Sequence, residues 1–78
     1  MSAARAAILA LLDERDAGTT ICPSEAARRL HSEEWRTQMP AIHHAVDRLM
    51  DERRITLSWK GQGMSARRGP YRIGKPAP

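Results

Sequence analysis

Seventy-eight residues, 41 % hydrophobic and 28 % charged, suffice for one small soluble domain and not for two. A core this thin leaves no room for a deep pocket, which counts against most enzymes, and the single cysteine, Cys22, excludes an internal disulfide and a four-cysteine metal site. The net charge of +4 is uneven: residues 1–52 hold six basic and nine acidic side chains, whereas residues 53–78 hold seven basic side chains and no acid, the footprint expected for a polyanion partner.

The first predicted helix covers residues 3–16. Ala4, Ala7, Ile8, Leu11 and Leu12 recur at helical spacing and lay down one apolar stripe, widened by Leu9. Ser2 is placed to cap its start and Gly18 to end it. The apolar run from Ala6 to Leu12 follows Arg5, as in a signal peptide, but meets Asp13, Glu14, Arg15 and Asp16 with no small-residue cleavage pattern, so a helix is the expected reading. No stretch approaches the ~20 apolar residues that span a membrane, and a lone thiol suits a reducing compartment, the cytoplasm.

Residues 19–21 are β-branched and predict a short strand. Pro23 suits a first helical position and Glu25 the first turn, so a second helix is expected from Pro23 to His31, with Ala26, Ala27 and Leu30 inward and Arg28 and Arg29 outward. Residues 32–36 read as an isolated helical turn capped by Ser32. Pro40 cannot donate a backbone hydrogen bond and disfavours helical geometry at Met39. The third helix is therefore expected over residues 40–52, burying Ile42, Ala45, Val46, Leu49 and Met50.

Near residue 54 the period changes from 3.6 to 2. Ile55, Leu57 and Trp59 alternate with polar neighbours, as do Tyr71 and Ile73, and the basic, glycine-rich residues 60–69 lie between. Two half-buried strands joined by a flexible positive loop make a hairpin. The expected fold is α+β, a winged helix-turn-helix of three helices, a short strand and a C-terminal two-stranded wing, over residues 1–74 with a disordered tail at 75–78.

Several local signatures occur together: Thr20-Ile21-Cys22-Pro23-Ser24-Glu25-Ala26-Ala27-Arg28, Trp35-Arg36 with Met39-Pro40, Arg53-Arg54-Ile55, and Arg68-Gly69-Pro70-Tyr71-Arg72. From about residue 5 to residue 73 the pattern resembles an uncharacterised bacterial family known only as a small domain of unknown function, whose members look like winged helices. The resemblance implies a fold and a bacterial origin, and no activity or catalytic residue comes with it.

The leading candidate site is the basic wing, Lys60, Arg67 and Arg68 with Arg72, Arg53 and Arg54 nearby, whose guanidinium forks match phosphate oxygens. Arg28 on the second helix would grip the backbone beside it. The third helix, which in a helix-turn-helix enters the major groove, offers His44 and Arg48 to base edges. Against this, Asp47, Asp51 and Glu52 make its outward face net negative. His43 and Asp47 at i, i+4 have metal-ligand spacing, yet two ligands do not make a zinc site, and no metal or cofactor is expected. Cys22 reads as a small cap residue and the tryptophans as core or core-edge, although Trp59 adjoins Lys60 where a base could stack. No buried carboxylate pair, phosphate-cradling loop or nucleophile elbow points to catalysis. The expected function is non-enzymatic binding of nucleic acid, double-stranded DNA in particular. The alternative is a protein-interaction module, including a homodimer through the first helix.

Overall fold

The computed structural model describes residues 2–76. Three helices, α1 (Ala3–Asp13), α2 (Pro23–Leu30) and α3 (Trp35–Asp51), precede three strands, β1 (Thr56–Trp59), β2 (Gln62–Met64) and β3 (Arg72–Gly74). The chain is α+β, with its strands in one antiparallel sheet of order β2-β1-β3.

Ser2 caps α1: its side-chain oxygen accepts the Arg5 N–H at 3.0 Å. The helix stops at Asp13, short of the expected Asp16. Gly18, with φ 88°, shapes a later turn, in which the Thr19 N–H donates to the Asp16 carbonyl at 3.0 Å. At the start of α2 Pro23 takes the first position, and the Glu25 carboxylate accepts the Cys22 N–H at 2.9 Å.

The largest departure from the sequence reading is α3. It begins at Trp35, five residues before Pro40, and carries the proline within it. Pro40 removes one ladder bond, the one its N–H would have given the Arg36 carbonyl, and the proline is exposed to water. Continuing the helix through it packs Trp35 and Met39 against the core, and burial of a large apolar side chain contributes up to ~1.5–3 kcal/mol. The far end closes with Arg53 at φ 58°: the Arg54 N–H donates to the Leu49 carbonyl at 2.9 Å and the Arg53 N–H to that of Met50 at 3.0 Å.

The sheet also differs. The expected long loop contains β2, turned back onto β1 by a two-residue turn in which Lys60 (φ 51°) and Gly61 (φ 79°) are both left-handed. Trp59 thus pairs with Gln62, and Leu57 with Met64. β3 lies on the other side of β1, pairing Leu57 with Ile73 and Ser58 with Arg72. The expected strand at residues 19–21 is one bridge, with Ile21 and Ile73 exchanging two 2.8 Å hydrogen bonds. Gly74 is buried beside it, where a Cβ would come within 3.0 Å of Thr56 Oγ1.

The core joins all of these segments. Ile8, Ile21, Ile42, Val46, Leu49 and Ile73 are fully enclosed, and the inward stripes of all three helices meet Ile55, Leu57 and Tyr71 of the sheet region. Of the expected disordered tail, Ala77 and Pro78 lie outside the described residues, and the Lys75 carbonyl accepts a hydrogen bond from Thr56 Oγ1 at 2.9 Å.

Candidate nucleic-acid interface

The β1–β2 hairpin and the loop that follows it enclose an open groove of about 630 Å³. Lys60, Arg67 and Arg68 all line it, so three of the expected site residues come together. Trp59, Gln62, Met64 and Pro70 line it as well, and no acidic side chain does.

Arg67 is not a free cation. Its Nε and Nη2 donate to Asp47 Oδ1 and Oδ2 at 3.0 and 3.1 Å, a bidentate pair that holds the loop against α3. The guanidinium keeps the Asp47 carboxyl below the usual carboxylate range. At the next turn Arg5 forks onto Glu52 at 2.8 and 2.6 Å, lowering that carboxyl too and fastening α1 to the end of α3. Two of the three acids that made this helix look repulsive to phosphate are therefore neutralised by arginines from elsewhere in the chain. Asp51 makes no ion pair among the described residues.

Starting α3 at Trp35 lengthens its outward stripe. At 100° per residue Arg36, Asp47, Pro40, Asp51 and His44 fall on one face, with Arg48 at its margin, and all six are exposed. Arg36 was missed because Pro40 pointed to a later start. The guanidiniums of Arg28 and Arg36 lie 4.5 and 4.4 Å from the Trp35 ring centroid, one from α2 and one from α3. Neither makes an ion pair among the described residues, although Glu33 and Glu34 are close in sequence. The clue lay in the spacing Arg28…Trp35-Arg36 across a short turn between helices.

The remaining candidates are dispersed. His44 and Arg48 line a hollow beside Ser2, Arg5 and Glu52. Arg72 is bonded elsewhere: its Nε donates to Thr20 Oγ1 at 2.7 Å and its Nη2 to the Thr20 carbonyl at 3.1 Å. It braces the α1–α2 connection and does not join the groove. Arg54 shares a hollow with Leu9, Leu12, Asp13 and Lys75, also away from the groove.

His43 and Asp47, the pair with metal-ligand spacing, are each occupied otherwise. His43 Nδ1 and Tyr71 Oη share a 2.6 Å hydrogen bond. Burial, and secondarily the nearby Arg67 charge, push the imidazole toward its neutral form. Burial also raises the Tyr71 phenol to about 12. Cys22 Sγ lies 3.1 Å from Ser24 Oγ, at the edge of a small cleft that includes Met39, His43, Trp59 and Tyr71. Trp59 itself is not a core residue: it is 40 % exposed.

Among the described residues no helix is long and apolar enough to cross a membrane. The model of a family described as "Protein of unknown function (DUF3253)" matches residues 1–76. A comparison with curated proteins gave no match.

Proposed function

The chain belongs to the DUF3253 family, and from there we propose that it is a winged-helix domain that binds double-stranded DNA through the phosphate backbone. In this reading α2 and α3 form the helix-turn-helix, and β1, β2 and the following loop form the wing. The observation that carries it is the Arg67–Asp47 pair: it holds the wing loop beside α3 and cancels one acid of that helix's outward face. Arg28 and Arg36 on the helices and Lys60 and Arg68 on the wing are left without carboxylate partners among the described residues. The N-terminal part of a recognition helix is the part that reaches base edges, and here it bears Arg36.

Phosphate contacts fix position and carry no sequence information. Replacing Arg68 by alanine should therefore weaken binding to several unrelated duplexes by the same factor, whereas Arg36→Ala should weaken some more than others if that side chain reaches base edges. Fluorescence anisotropy on a panel of labelled duplexes checks both. An Arg68→Ala protein that binds every duplex as tightly as the parent would refute the backbone contact.

No observation favours a homodimer through α1. Leu9 packs partly buried against the core, and the outward positions of that helix are Ala3, Ala6 and Asp13 rather than large apolar side chains.

A further inference from the structure

We propose that the groove between the β1–β2 hairpin and residues 65–70 seats one unpaired nucleobase, so that the domain prefers duplex DNA with a single-stranded overhang. The inference rests on the backbone-binding reading and adds a substrate class to it.

Trp59 is the exposed large hydrophobic side chain among the described residues. Its position explains why. Ile55, immediately before β1, and Leu57 and Trp59 within it alternate onto one face; the first two are 4 % and 2 % exposed, while Trp59, the last residue of the strand, runs past the end of the core. Its backbone is anchored by pairing with Gln62 and by the turn at Lys60 and Gly61. The ring is thus carried on a rigid element, and its exposure is not the accident of a mobile loop.

The surroundings fit a nucleotide. Lys60 follows Trp59 in sequence, and both it and Arg68 line the groove. With Arg67 held by Asp47, these two cations are the ones free to meet a phosphate. The Gln62 amide can both donate to and accept from a base edge. The volume, about 630 Å³, lies within the ~300–1,000 Å³ of small-ligand sites. An aromatic ring flanked by cations with no acid in the lining is the arrangement that binds single strands by stacking and charge together. A duplex end cannot offer a base to the ring without fraying, whereas an overhang can.

The test uses the full chain with fluorescein-labelled DNA hairpins of one stem sequence: blunt, with three unpaired thymidines at the 5′ end, or with three at the 3′ end. Stacking is worth ~1–3 kcal/mol per base, so one overhang hairpin should bind about tenfold tighter than the blunt one. Trp59→Ala should bring overhang-hairpin affinity down to that of the blunt hairpin, and Trp59→Phe should keep most of the preference. A circular-dichroism melt of each variant reports folding. Equal affinity of the parent protein for blunt and overhang hairpins overturns the base seat and leaves the backbone-binding reading standing. So does an equal loss on all hairpins with Trp59→Ala, which makes the ring structural. An overhang preference that a glutamate-rich peptide displaces as readily as thymidine oligomers do also overturns it, because the groove is then a plain anion site. Failure of all three hairpins to bind removes both readings.

Discussion

The two ends of α3 have opposite electrostatic fates. At its C-terminal end Asp47 and Glu52 are clamped by Arg67 and Arg5, side chains that arrive from 20 and 47 residues away. At its N-terminal end Arg36 makes no ion pair among the described residues and packs over the Trp35 ring, as does a second arginine, Arg28. A count of charges along the helix finds the acids and stops there. The three-dimensional pairing occupies two of the three acids, Asp47 and Glu52, and leaves Arg28 and Arg36 available. Which charges a partner feels is set by which ones the chain has already satisfied.

The largest effect is expected at the unpaired end. The double substitution Arg28→Ala with Arg36→Ala removes two charge-assisted contacts, each worth ~1.5–3 kcal/mol, and should weaken duplex binding about a hundredfold or more. An unchanged affinity in the anisotropy titration would erase the distinction between the two ends.

Next comes the helix's midpoint, where His43 holds Tyr71. Tyr71→Phe leaves a partly buried imidazole nitrogen unpaired and should cost about 1–2 kcal/mol in a urea melt. The pH dependence follows from the lowered His43 pKa. The unfolded chain takes up the proton near pH 6.5, before the folded chain does. Stability should therefore be full above that pH and decline as pH falls toward the folded-state value. Melts between pH 7.5 and 5 check the sign.

The smallest effect belongs to the clamped end. The charge-neutral pair Arg67→Ala with Asp47→Ala should weaken duplex binding only severalfold, because the pair presents little net charge to phosphate and the loss is confined to the placement of the wing loop. It should cost at most about 1 kcal/mol of stability at neutral pH, as exposed ion pairs do. Because the Asp47 carboxyl is held low, that contribution is present above its unfolded value near pH 3.9 and disappears as pH falls through the folded one. Melts of parent and variant should converge in acid.

The apolar periodicity foretold much of this. The α1 stripe is buried as read, and so are Ile42, Ala45, Val46 and Leu49 of α3 and Ile55, Leu57, Tyr71 and Ile73 around the sheet, because burial follows from spacing along one element. The α3 start was illegible because local rules weigh Pro40 alone, while the structure sets the packing of Trp35 and Met39 against the core, both ahead of the proline, against a single lost bond. β2 was hidden because Gln62-Gly63-Met64 has no alternation; only the Lys60-Gly61 turn returns it to β1, and a lysine at positive φ is a weak signal. Of the seven expected site residues, Lys60, Arg67 and Arg68 line one groove, and Arg67 spends its charge on Asp47. Arg72 bonds Thr20 instead, a contact 52 residues apart that no local pattern encodes. Arg36, a contact in the proposed reading, came into view only with the helix start.

The most direct test is the salt dependence of binding to a blunt duplex of arbitrary sequence. With Arg28, Arg36, Lys60 and Arg68 each neutralising one phosphate, log affinity plotted against log salt should fall with a slope of about −3.6. A slope near zero, or no binding even at low salt, would contradict a backbone-gripping domain.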